Sequence, residues 1–281
     1  MITLMRLLAG LPLSWLYVLA KGLAWFARVA LRYRKRVIIE NLSRSFPDKS
    51  PTEIQNLARQ FYDHLSQVVV ESLKGQRLSQ EEIIKRAKFL NPEVLSQKIA
   101  AGESALVLTS HFCNWEWILL GFSAQVNVPI LAVYQPLSSA KADQVMLKMR
   151  SRFGAKLVGD HLVMRELIAT RSQPKVIAIV ADQTPRPKDK QLVFDFLNQK
   201  TPFFSGPQKI AQYLNCSVFY ADMRKLRLGY YQIKLVEIGT APYQNPDSII
   251  ENFATKLQES INEQPAYWLW SHKRWKYAQA E

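Results

Sequence analysis

The chain has only two cysteines in 281 residues, Cys113 and Cys216, and they carry no pairing signature. A disulfide-stapled scaffold is excluded, and a reducing compartment fits. No His/Cys/Asp cluster has ligand spacing, so neither a metal nor another cofactor is expected. Zinc-finger spacing, RNP-like aromatic blocks and long Lys/Arg tracts are all missing, so no nucleic acid partner is expected. No Pro-, Gly- or Ser-rich linker and no fixed-period repeat divides the chain. Acids are scarce: 23 against 37 Lys and Arg, a formal net charge of +14. Such a balance suits an anionic partner, either a membrane surface or an acidic protein.

An uninterrupted apolar run of spanning length is missing too. Residues from Leu7 to Ala20 are uncharged, then Lys21 and Arg28 intervene, whereas a spanning helix needs roughly 20 apolar residues. Lys21, Arg28, Arg32 and Lys35 share one helical face, and Trp15, Tyr17, Trp25 and Phe26 supply interfacial aromatics. There is no small-residue cleavage site, so no removed signal peptide is expected. Residues 1–31 therefore read as a membrane-anchoring helix that either spans marginally or lies in the interface. The competing reading is a buried amphipathic helix of the globular domain. The basic RYRKR stretch that follows would face the cytoplasm.

What is present after residue 31 is one α/β domain, residues 32–281. Ser50-Pro51-Thr52-Glu53 forms a capping box with proline at the first helical position, opening a helix that runs to Gly75. His64 within it reads as structural. From Ser104 onward, strand-like runs (105–109, 129–134, 156–158, 176–181, 192–196, 217–221, 231–236) alternate with helical patterns. The expected architecture is a central mixed sheet flanked by helices, with the N-terminal membrane-anchoring helix.

The most informative stretch is Leu106–Trp117, LVLTSHFCNWEW. A buried strand delivers His111 to the start of a helix, the place where open α/β sheets put their chemistry. Glu116 follows at His-x4-Glu spacing. The spacing itself is cheap: four histidines and 23 acids in 281 residues give roughly 0.3 chance matches, and His161–Glu166 is a second instance. Positions i and i+5 lie about 140° apart on a helix. The pair meets only if the histidine precedes the helix and the acid sits in its first turn, a condition the strand before His111 favours. A histidine so placed takes a proton from a hydroxyl, and a carboxylate on its other ring nitrogen fixes the tautomer. No Gly-x-Ser-x-Gly occurs, and Cys113 sits among aromatics as an inert thiol. The nucleophile is then the substrate's own hydroxyl.

The stretch Ser110–Glu116 resembles the His-x4-acid motif of the lysophospholipid acyltransferase superfamily. More closely, the chain resembles the late acyltransferases of lipid A biosynthesis, the lauroyl/myristoyl transferase group. Gln135-Pro136-Leu137, Arg150–Gly154, Ala181-Asp182-Gln183, Thr201–Gly206 and Trp268–Lys276 are similar to the family's blocks, in order, across nearly the whole chain. The family often has Asn before the histidine where this chain has Ser110, which leaves the acceptor open.

The resemblance implies an acyl-ACP-dependent O-acyltransferase at the cytoplasmic face of the inner membrane. Its partners would be acyl carrier protein as donor, a glycolipid acceptor and an anionic membrane surface. His111 would be the general base and Glu116 its orienting partner. Arg150, Arg152, Asp182 and Gly206 would be substrate-binding. An oxyanion would meet either the helix start after His111 or Arg150. Lys188, Lys190, Lys200 and Lys209 meet phosphate or form a solvated face. The closing WLWSHKRWK suits a membrane interface, or a docked C-terminal helix with Trp270 and Trp275 in the core. Other open readings are an acyltransferase for a lysophospholipid, a phosphatidylinositol mannoside or an amino-acid lipid, a hydrolase, and a non-catalytic lipid-binding protein.

Overall fold

A computed structural model describes residues 2–137, 139–187 and 189–277. Lys188 lies outside them. The centre is β2 (Ala105–Thr109), whose five residues are all buried, as expected of a parallel strand covered on both faces. Parallel to it on one side runs β5 (Val176–Val180), followed by β3 (Ile130–Tyr134) and β4 (Lys156–Gly159). On the other side lies β8 (Ser217–Arg227), parallel to β2 and antiparallel to β9 (Tyr230–Gly239). The short β1 (Ala87–Phe89) closes that edge beside β9. The result is a seven-stranded mixed sheet in the order β1-β9-β8-β2-β5-β3-β4.

Helices flank it. After β2 comes α7 (Trp115–Gln125), then α8 (Ala140–Arg150) before β4 and α9 (Val163–Ala169) after it. A separate hairpin of β6 (Gln191–Phe196) and β7 (Gln199–Phe204) leads into α10 (Gly206–Leu214). The sequence pattern gives β6 but no strand over Gln199–Phe204. Pro202 interrupts the alternation there, which a two-stranded hairpin tolerates because both its strands are edges. A last helix, α11 (Ser248–Glu263), packs on β8 and β9.

The N-terminal segment is not one helix. It forms α1 (Ile2–Gly10), α2 (Leu13–Trp25) and a π-helical turn over Phe26–Ala30, with the break at Leu11-Pro12. Among the described residues no helix is long and apolar enough to cross a membrane. Leu13, Leu16, Ala20 and Ala24 of α2 are buried against the long α4 (Pro51–Gly75), while Trp15, Val18, Leu19, Leu23 and Trp25 are exposed. The helix is thus apolar on both faces, and only one of them is used in the fold. The capping box at Ser50–Glu53 opens α4, each partner bonding the other's backbone N–H.

The C-terminal stretch is neither a helix nor a surface aromatic belt. Trp268, Trp270, Trp275 and Arg274 are buried, and the Trp268 ring meets Trp270, Trp275 and Phe196 edge-to-face. An antiparallel bridge ties Phe112 to Trp268, so this strap lies across the turn that follows β2.

Candidate active site

His111 and Asp182 meet because of strand register. The pairing of β2 with β5 sets Thr109 opposite Val180. Each functional residue lies two positions beyond, so the two arrive level at the carboxyl ends of adjacent parallel strands. The Asp182 carboxylate takes three donors. The His111 ring nitrogen Nδ1 lies 2.7 Å from Oδ1, the His111 backbone N–H donates to Oδ2 at 2.9 Å, and the Trp268 indole N–H donates to Oδ2 at 2.7 Å. Burial works against the Asp182 charge, but His111 and the two N–H donors outweigh it and hold the carboxyl below its ordinary range. With Nδ1–H donated to Asp182, Nε2 is left as the acceptor; Gln183 Nε2 lies 3.3 Å from it.

Spacing alone assigns Glu116 to His111, and the structure gives that place to Asp182. Cys113 adopts a left-handed backbone (φ 51°), and Asn114 caps α7 by accepting the Trp117 N–H at 3.1 Å. His111 therefore does precede the helix, and Glu116 is its second residue. The Glu116 carboxylate, however, turns to Arg150, which grips it through Nε at 2.8 Å and Nη2 at 2.6 Å. A bidentate, charge-assisted pair in a site where both side chains are largely buried outcompetes a single bond to imidazole. Burial opposes the Arg150 charge, and Glu116 more than offsets it, so that guanidinium is raised above its usual value.

His111, Glu116, Arg150, Gln183 and Gly206 line one cavity of about 750 Å³. Its remaining walls are mostly apolar, with Val107, Ile118, Leu119, Phe122, Ile179 and Leu235 among them. A Cβ at Gly206 would run into the ring of Phe204, which is exposed and would have to turn aside. Arg152 does not reach the cavity. Its guanidinium donates to the carbonyls of Gly75 and Leu78 and so clamps the end of α4. Asp182 stands behind His111, not in the wall.

The other candidates separate as well. His161 is exposed at the cavity mouth beside Asp160, and Glu166 pairs with Lys156 instead. His64 is buried in α4, near the Cys113 carbonyl and the Lys225 ammonium. Burial raises the Cys113 thiol and stops it serving as a nucleophile. Burial pushes His272 down to about 4, and it stays a neutral acceptor for the Thr184 N–H. Lys200 pairs with Asp195 on the outer side of the hairpin, Lys190 is exposed, and Lys209 is exposed at the cavity rim.

Two features of the site are not visible in the spacing. Asp182 needs the parallel pairing of β2 with β5, two strands about 70 residues apart in the chain. Trp268 needs the C-terminal strap. The apolar run 176–180 hints at the first, and the family-like block Ala181-Asp182-Gln183 marks Asp182 itself, though as substrate-binding and not as the partner of His111.

No curated protein sequence matches the chain. The family model described as bacterial lipid A biosynthesis acyltransferase matches residues 1–277, the same span that brings His111 after β2, Asp182 after β5 and Trp268 in the strap together. The chain belongs to the bacterial lipid A biosynthesis acyltransferase family.

Proposed function

We propose that the chain transfers a fatty acyl group from acyl carrier protein to a hydroxyl of a lipid A precursor or related glycolipid. One observation carries the reading: His111 has Nδ1 anchored on a buried carboxylate while the ring forms part of the wall of a largely apolar cavity. The acceptor hydroxyl gives its proton to Nε2 as its oxygen attacks the thioester carbonyl. The tetrahedral oxyanion is met by Arg150. Its Nε edge is occupied by Glu116, which fixes the planar fork and leaves Nη1 to donate. On collapse, the C–S bond breaks and the imidazolium returns its proton to the departing thiolate. Glu116 acts here by placing Arg150. No covalent acyl-enzyme is needed, since Ser110 and Cys113 are both buried. The net charge of +14 and the exposed Lys209 at the cavity mouth, where Arg186 is paired with Asp160, favour an acidic carrier protein and a phosphorylated acceptor.

The test is an assay of the purified protein with an acyl-ACP and a lipid A precursor, with products read by mass spectrometry. One added acyl chain on the glycolipid is expected. Free fatty acid formed at the same rate without acceptor would make the protein a hydrolase and overturn the proposal.

We also propose that α2 seats the protein on the cytoplasmic face of the inner membrane, lying in the interface. Its 13 residues span about 20 Å at 1.5 Å each, short of the ~30 Å hydrocarbon core. Its outer face carries Trp15, Val18, Leu19 and Trp25 beside Lys21. The protein is expected to float with vesicles of phosphatidylcholine and phosphatidylglycerol. The Trp15→Ser/Trp25→Ser double variant should lose about tenfold in partitioning; undiminished flotation of that variant would remove α2 as the contact.

A further inference from the structure

Beneath the turn that carries His111 and Glu116 lies a second polar cluster that the proposed reaction does not use. Its centre is Glu71 of α4, fully buried. Tyr17 of α2 donates to its Oε1 at 2.8 Å. Asn114 donates to Oε2 at 2.6 Å through Nδ2, and Tyr231 of β9 donates to the same oxygen at 2.7 Å. The Trp117 indole N–H donates to the Glu71 backbone carbonyl at 3.1 Å. Glu71 thus joins three separate parts of the fold: the N-terminal helix with the exposed aromatic face, the N-cap of the helix that carries Glu116, and the sheet.

The geometry at Asn114 makes this link directional. Asn114 Oδ1 is committed to the Trp117 N–H as the cap of α7, so its Nδ2 must find an acceptor, and Glu71 is that acceptor. The Asn114 side chain cannot be turned over without breaking both bonds. Three residues earlier in the chain is His111, and two residues later is Glu116 with its Arg150. Asn114 thus ties the first turn of α7, with Glu116 and its Arg150, to Glu71, and fixes the end of the turn that begins at His111.

We infer that Glu71 is a positioning residue: it fixes the His111–Glu116 turn through Asn114 and, through Tyr17, makes that position depend on α2 being seated on α4. The inference rests on the reading of this turn as the catalytic one. Tyr17 touches neither the cavity nor His111, and its hydroxyl bonds Glu71, so Glu71 is the direct route from Tyr17 to the turn.

The experiment compares Tyr17→Phe, Glu71→Gln and Glu71→Leu with the wild-type chain by hydrogen–deuterium exchange and by steady-state kinetics. Gln keeps one acceptor for Asn114, and its amide can donate to a turned Tyr17 hydroxyl; Leu keeps nothing. Exchange at residues 113–119 is expected to rise by about tenfold in Glu71→Leu and by several-fold in Tyr17→Phe, while residues 249–261 of α11 stay as in wild type. Glu71→Gln should restore most of the protection. The value of kcat should fall by about 10–100-fold in Glu71→Leu, with KM changed by less than about threefold, because misplacing the turn costs the chemical step more than binding. If Glu71→Leu does not fold, Tyr17→Phe decides. Unchanged exchange at 113–119 in Tyr17→Phe, or a rise spread equally over α11, overturns the inference. So does increased exchange with kcat and KM as in wild type. Absence of acyl transfer in the wild-type protein would fall on the catalytic reading, and the exchange comparison would then decide the linkage by itself.

Discussion

Replacing His111 by alanine is expected to lower kcat for acyl transfer by about 10³-fold or more, about 4 kcal/mol of transition-state stabilisation. No neighbour takes over its proton. His161 sits at the cavity mouth against Asp160, His272 is held neutral and occupied by Thr184, and Glu116 is clamped by Arg150. KM should change by less than about threefold, since the apolar walls that hold the acyl chain stay in place. The fold should survive. Asp182 loses one of three donors but keeps the backbone N–H of residue 111 and the Trp268 indole. A cost of about 1–3 kcal/mol in unfolding free energy follows from that lost partner. Steady-state kinetics beside a thermal melt checks both parts. Transfer within tenfold of wild type by a folded variant would remove His111 as the base.

Much of this site can be read from residue order, and the remainder depends on contacts that order does not encode. The apolar run 105–109, the apolar pattern after Trp115 and the capping box at Ser50 are local, so β2, the long α4 and the position of His111 between β2 and α7 are legible. The helical geometry of positions i and i+5 also foretells that His111 must stand before α7. The partner it assigns, Glu116, is not the one the fold delivers. Glu116 is near in sequence, and Asp182 is near in space through a parallel register that no short-range pattern records. The aromatic tail shows the same division. Trp268, Trp270 and Trp275 beside Lys273 and Arg274 fit an interfacial belt or a docked helix with Trp270 and Trp275 in the core; the core placement holds, without the helix, because Trp268 meets a buried carboxylate and the rings pack edge-to-face. The N-terminal helix was legible as amphiphilic, but its break at Pro12 and its inner face on α4 come from packing against a helix some 40 residues further on.

The sharpest separation of Asp182 from Glu116 comes from Asp182→Asn. Two backbone-fixed or ring-fixed donors, the His111 N–H and the Trp268 indole, converge on Oδ2. In the asparagine variant they require the amide oxygen to take that position, so the NH2 group must face His111 Nδ1. An NH2 can only donate. Nδ1 then becomes the acceptor, the imidazole proton moves to Nε2, and the base nitrogen is blocked by its own hydrogen. The expected loss is about 10³-fold in kcat. Asp182→Ala imposes no tautomer and should retain more activity than Asp182→Asn, an ordering that a simple loss of charge does not produce. Stability gives a second check. The folded Asp182 carboxyl lies below its ordinary value, so its contribution is present above about pH 4 and is lost as the pH falls through the lower folded value. The melting difference between wild type and Asp182→Asn should therefore be widest near neutrality and narrow under acid. The same carboxyl is ionised across the neutral range, so the acid limb of a wild-type pH–rate profile does not come from Asp182. Burial pushes the neighbouring Arg274 down to about 10, with the Asp182 charge acting against that, and the asparagine variant loses this counter-charge too. Kinetics are therefore best taken well below the variant's melting midpoint. Activity within tenfold of wild type in Asp182→Asn would return the orienting role to Glu116.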